Sequence, residues 1–191
     1  MGEKGIELDT VQVDLANGEQ FGEAYRRVNP DCVVPAIELD DGSCISEAVA
    51  ICHYLEELHP EPPLLGRTPE ERARVALWTA KAEQQGLWPT AEAFRNVAKG
   101  LKGHAVQGPD RYEQIPELAE RGRARAAAFY RRLDEQLEGR DFVAGDFYSI
   151  ADITAMVFVD FALRLKIPMP DDASNLRRWH EAVSARPSAA S

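Results

Sequence analysis

Around residue 60 the periodicity of this chain changes, and that change limits the fold more than any other feature. Before it, short runs of β character alternate with short helical stretches. After it, the periodic segments repeat apolar residues every three to four positions. A chain of 191 residues can form one domain with a good core or two small ones. The break favours two: residues 1–60 as an α/β unit, 61–67 as a linker and 68–191 as an all-helical unit. The linker reads EPPLLGR, and its prolines stiffen the path.

In the first unit, TVQVDL (10–15) alternates apolar and polar residues and predicts a half-buried strand. Residues 19–28 predict a short helix, halted by Asn29-Pro30. VPAIEL (34–39) and SCI (43–45) predict two further strands. The DDG between them is a tight turn in which Gly42 is free to take positive φ. A helix from Glu47 to about Leu58 follows, with Ala48, Ile51, Cys52, Leu55 and Leu58 on one face. In the second unit, Thr68-Pro69-Glu70-Glu71 spells a helix start. Gly86 and Pro89 predict a kink in the helix it begins, and residues 95–112 read as loop. Residues 116–137 carry the stripe Leu118, Gly122, Ala126, Phe129, Leu133 and Leu137. Ser149 and Asp152 form another reciprocal cap, stapled by Tyr148 and Ile153. The helix beyond is apolar nearly all round and belongs in a core, and a last helix runs from about Leu176 to Ser184.

A net charge of −10 repels nucleic acid and anionic lipid, so neither is an expected partner. The longest apolar run, residues 153–163, is interrupted by Thr154 and Asp160 and is too short to span a bilayer. Three cysteines without a secretory leader predict a reducing, cytoplasmic setting. Cys44 and Cys52 read as core residues. Cys32, in the loop before Pro35, is either a reactive thiol or, as is commoner, an inert one. His53 and His59 are six apart and do not share a helix face, while His104 and His180 have no evident partner. No metal site is expected.

Several of these elements occur together in one family. Asn29-Pro30, Val34-Pro35-Ala36-Ile37-Glu38-Leu39, Gly42, Ser46-Glu47, Ala50-Ile51 and Tyr54-Leu55 resemble the second half of the glutathione-binding domain of cytosolic glutathione transferases. GDFYSIADI resembles that family's capping motif, and NLRRWHEAVSARPS its closing helix. The resemblance runs from about Ile6 to Pro187. It implies a thioredoxin-like α/β domain followed by an all-α domain, usually as a homodimer. The implied chemistry is addition of the glutathione thiolate to a small hydrophobic electrophile.

The resemblance also assigns residues. A cis proline at Pro35 would turn the backbone of Val34 toward the cysteine of glutathione, as an added strand. Without the resemblance, Pro35 reads as an ordinary strand-initiating proline, since cis X-Pro bonds are about 5% of such bonds. Glu47 would hold the γ-glutamyl α-amine; on its own it reads as a carboxylate well placed at a helix N-terminus. Ala48 stands where the family usually has a serine for the γ-glutamyl carboxylate, and Val33 where many members have Lys or Gln. Both departures predict weakened glutathione binding. Trp88 and Phe94 would line the hydrophobic-substrate pocket, or else are core aromatics.

The family's first strand, catalytic loop and first helix are expected ahead of residue 10, where only about nine residues stand. No catalytic Ser, Tyr or Cys is therefore expected in this chain, and the sheet is expected to lack an internal strand. Two readings of function follow: a glutathione transferase of doubtful catalytic capacity, or a non-catalytic transferase-like module for dimerisation or partner binding. A disulfide reductase or dehalogenase on the same fold is a third.

Overall fold

The computed structural model describes residues 1–189. Its first unit is built on a hairpin. Strand β1 (Ala36–Glu38) pairs antiparallel with β2 (Cys44–Ser46), with Ala36 opposite Ser46 and Glu38 opposite Cys44. The turn closes through Leu39–Ser43, where Gly42 has φ 79° and its N–H donates to the Leu39 carbonyl at 2.9 Å. Helix α1 (Glu23–Val28) precedes the hairpin and α2 (Ala48–Leu58) leaves it directly.

The strand expected over residues 10–15 does not form. That stretch holds no ladder, and Val11 is 90% exposed. A strand is stabilised by its neighbours, and no described strand lies beside this one to accept from its N–H groups and donate to its C=O groups. The helix expected over 19–28 divides at Gly22, which is extended at φ −71° and ψ 155°, into a 3-10 turn (Glu19–Phe21) and α1. On α2, Leu55 is buried and Ile51 and Cys52 half-buried, but Ala48 and Leu58 are exposed at the two ends. Cys44 is also half-buried, so neither it nor Cys52 is a fully enclosed core residue.

The second unit is helical. Helix α3 (Pro69–Lys81) starts on the expected capping box: the Thr68 hydroxyl accepts from Glu71 N–H at 3.1 Å, and the Glu71 carboxylate accepts from Thr68 N–H at 3.2 Å. It continues through a π-helical segment (Ala82–Leu87) into α4 (Trp88–Arg95). The kink expected from Gly86 and Pro89 takes this form because Pro89 has no N–H for the preceding turn. Gly86 lies against the rings of Phe129 and Phe158, where a Cβ would come within 2.7 Å of Phe158. Helices α5 (Pro116–Gln136), α6 (Ile150–Arg164) and α7 (Ser174–Ser184) complete the bundle. Its core holds Trp179, Tyr130, Phe129, Phe158 and Leu133, with Phe129 and Phe158 edge-to-face at 5.3 Å. The largest buried side chains lie on these helices, so the bundle supplies most of the apolar burial.

The two units are tied through residues 61–67. Glu56 accepts from the Leu64 and Leu65 N–H groups, and Ile150 N–H donates to the Leu64 carbonyl at 3.0 Å. Lys4 reaches the carbonyls of His59 and Pro62 and pairs with Glu56 at 2.7 Å. Glu3 forms a two-bonded pair with Arg186, at 2.8 and 2.7 Å, and the Arg186 guanidinium lies 3.9 Å over the Tyr148 ring. Among the described residues no helix is long and apolar enough to cross a membrane.

Candidate functional site

The open end of the hairpin brings two of the expected site residues together. Val34 stands two residues before Ala36, and Glu47 one residue after Ser46, its ladder partner. Both therefore emerge at the end opposite the turn. The Val34–Pro35 bond is cis, as the resemblance implied, and Val34 is 39% exposed. Neither the N–H nor the C=O of Val34 has a hydrogen-bond partner among the described residues. The carbonyl just before it is doubly held: Val33 accepts from the Tyr25 hydroxyl at 2.6 Å and from Asn29 Nδ2 at 2.8 Å. Two side chains from α1 and its stop signal thus fix the approach to a main-chain pair that is left open. Burial pushes the Tyr25 hydroxyl above its usual pKa, so it stays a donor.

Glu47 is the N-cap residue of α2, yet its side chain makes no capping bond. Its backbone sits at φ 68° and ψ 121°, a conformation costly for a residue with a Cβ. It is exposed and pairs with no cation among the described residues. The first turn of α2, beginning at Ala48, presents its free N–H groups beside it. The site therefore offers the unpaired main-chain N–H and C=O of Val34, an uncommitted carboxylate and a helix N-terminus within one corner.

The same two-part organisation appears in known proteins. Residues 1–58 match the family model described as glutathione S-transferase, N-terminal domain, and residues 94–187 that of its C-terminal domain. Glutathione S-transferase 2 of Saccharomyces cerevisiae is 34% identical over 179 residues, covering 93% of this chain and 74% of its own. This chain belongs to the glutathione S-transferase family. The solved structure of Gtt2 from S. cerevisiae superposes with a TM-score of 0.85 at 32% identity, over 94% of this chain and 84% of that one. A glutathione S-transferase domain-containing protein of Marinobacter aquaeolei gives the same score at 34% identity, over 94% and 85%. The transferase fold, a thioredoxin-like domain carrying a small sheet and a helical domain, is thus shared along nearly the whole chain.

Within this chain the remaining expected residues fare differently. Trp88 opens α4 and is 62% exposed, while Phe94, on its last turn, is 37% exposed and meets Phe161 edge-on at 5.9 Å. The core reading fails for both. They are six positions apart, which places their side chains about 120° apart around the helix, so they do not share one wall. Cys32 is buried, with its Sγ 3.5 Å from the Pro30 carbonyl, which leaves the inert reading. His104 stacks on Phe21 at 4.9 Å and His180 pairs with Asp160 at 2.7 Å, so both have partners that their sequence neighbourhood did not reveal. Sequence reasoning also missed Tyr25 and Asn29 as supports of Val33. Asn29 carried a turn signal, but nothing local to Tyr25 announces a bond eight residues away.

Proposed function

We propose that this chain binds glutathione across the open end of the hairpin and adds its sulfur to an electrophilic carbon of a small hydrophobic compound. One observation carries the reading: the exposed Val34, with both main-chain groups unpaired among the described residues, beside the uncommitted carboxylate of Glu47. The cysteine of glutathione pairs with the Val34 N–H and C=O. Glu47 takes the γ-glutamyl ammonium, and the N–H groups from Ala48 onward take the γ-glutamyl carboxylate. In the chemical step the thiol proton leaves, the C–S bond forms, and the electrophile loses a leaving group or gains the proton. The Phe94–Phe161 pair offers apolar surface for the electrophile, while Trp88, at the start of α4, exposes a separate aromatic face. In this reading residues 1–60 and 68–191 are separate domains joined by 61–67, and the protein works as a cytoplasmic homodimer.

Calorimetric titration with glutathione tests the binding half. Glu47→Gln is expected to weaken affinity about tenfold or more. Ala48→Ser, which restores a hydroxyl for the carboxylate, is expected to strengthen it by a comparable factor. Equal affinity in wild type and Glu47→Gln would remove the assignment. Turnover of a chlorodinitrobenzene above the uncatalysed rate supports the transferase. Saturable binding without turnover leaves the non-catalytic module, which Ala48 and Val33 favour.

A further inference from the structure

The segment that leads to Val34 has little core of its own. Neither the 3-10 turn at Glu19–Phe21 nor α1 buries a side chain fully, so packing beneath them does not by itself hold their place. The Val33 carbonyl nevertheless depends on that segment, through Tyr25 and Asn29.

What reaches the segment from the helical unit is the loop between α4 and α5, and this loop is built rigidly. Arg95, closing α4, donates from Nη2 to the His104 and Val106 carbonyls at 2.6 and 3.0 Å, and from Nε to the Ala105 carbonyl at 3.3 Å. Gln114 Nε2 donates to the Arg95 and Ala98 carbonyls at 2.7 and 2.8 Å, and buried Asn96 accepts from the Ile115 N–H at 2.9 Å. The middle and the far end of the loop are thereby fastened to the last turn of α4.

Held in this way, the loop crosses to the first unit at two points. His104 stacks on Phe21, with ring centres 4.9 Å apart and planes inclined by 28°. Gly108 lies against Asp31, where a Cβ would meet the Asp31 carbonyl oxygen at 3.7 Å. Among the described residues no hydrogen bond joins His104 to the turn, and its Nδ1 is buried without a partner. The imidazole therefore acts here as an aromatic plate. Beyond Phe21 the connection is continuous. The Phe21 carbonyl accepts from Arg26 Nε of α1 at 3.0 Å, and α1 carries the Tyr25 that fixes Val33.

We propose that His104 is a positioning residue for glutathione. Its stack on Phe21 keeps the turn and α1 where Tyr25 and Asn29 can hold the Val34 main chain ready for the ligand. This rests on the assignment of glutathione to Val34. The helical unit thus takes part in binding without touching the tripeptide. When the stack is lost, the competent arrangement of residues 18–33 is less populated, and apparent affinity falls by the same factor.

The test is calorimetry with glutathione on the full chain, with folding checked by circular dichroism. His104→Ala is expected to bind about three- to tenfold more weakly, the range that an aromatic stack supports. His104→Phe, which restores the plate without the ring nitrogens, is expected within about twofold of wild type. Phe21→Ala should weaken binding like His104→Ala, and the double variant no further, because the two rings act as one unit. Hydrogen exchange without ligand should quicken at residues 18–33 in His104→Ala and stay unchanged in α5, α6 and α7. Wild-type affinity in His104→Ala overturns the proposal, as does a His104→Phe variant that binds as weakly as His104→Ala. Faster exchange throughout the helical unit overturns it too, since the role would then be general stability. A wild-type chain that does not bind glutathione defeats the reading on which this rests, whereas unchanged exchange at residues 18–33 defeats the positioning role by itself.

Discussion

Asp152 should be the most costly side chain in the helical domain to remove. It is fully buried, and its carboxylate accepts from Val143 N–H at 2.8 Å and from Trp179 Nε1–H at 3.0 Å. It also accepts from both the N–H and the hydroxyl of Ser149 at 3.0 Å. One group thereby caps α6, holds the segment before it and docks α7. All three donor residues are themselves buried. Asp152→Ala strands three N–H donors where water cannot reach. Each orphan costs about 1–3 kcal/mol, and after partial relaxation the total should be about 4–5 kcal/mol. Asp152→Asn keeps one accepting oxygen for Val143 and Trp179 but turns an NH₂ toward the Ser149 N–H, so about 2–3 kcal/mol is expected. For a chain of this size each kcal/mol moves the melting temperature by about 2–4 °C. The alanine variant should therefore melt about 10–20 °C below wild type and the asparagine variant about half as far below. Urea and thermal unfolding read by circular dichroism decide the matter. An asparagine variant within about 0.5 kcal/mol of wild type would refute the idea that this carboxylate joins three elements.

Two further outcomes follow from the same geometry. Arg186, hydrogen-bonded to Glu3, holds that carboxyl below its ordinary pKa, so its stability is present above the unfolded value and is lost as pH falls through the depressed one. Asp152 has the opposite sign: burial outweighs its donors and raises it, so its share is present at low pH and falls away as pH rises through the raised value. Melting between about pH 5 and pH 3 should therefore flatten in Glu3→Gln relative to wild type, and an unchanged slope would assign the acid loss elsewhere. Gly122→Ala should destabilise despite gaining about 1 kcal/mol of helix propensity. Its Cβ would fall 2.4 Å from the Pro89 carbonyl and 2.8 Å from the Ala93 nitrogen, at an overpacking cost of about 1–3 kcal/mol or more. Chemical denaturation checks this, and a stabilised variant would mean that α4 and α5 can move apart.

What was legible in the sequence was what is local. The box at Thr68–Glu71 and the Ser149–Asp152 pair spell their own hydrogen bonds within one turn, and both form. The β1–β2 hairpin was equally readable, because turn chemistry and both strands lie within about a dozen residues. The strand at 10–15 was not, since alternation states which face a strand would bury but not whether a neighbour exists to bond it. Trp88 and Phe94 show a related limit: composition marks an aromatic as a burial candidate, and only the packed helices reveal that these two stay partly exposed.

Glu47 shows how the two kinds of information combine. From sequence it reads as an acid at a helix N-terminus, which would make it a modest stabiliser of α2. Its geometry serves that role poorly. The backbone is in a region that favours glycine, and the carboxylate bonds none of the N–H groups it stands beside. A glycine there would hold the turn with less strain, and a serine would cap the helix better. The residue is constrained on one side by the β2 ladder and on the other by the first turn of α2, and this holds the conformation in place. A strained backbone that gains its own helix nothing, and whose side chain stays uncommitted, is what supports the proposed contact of this carboxylate with the γ-glutamyl ammonium. Glu47 is for that reason, more than for the family pattern, the first residue to mutate.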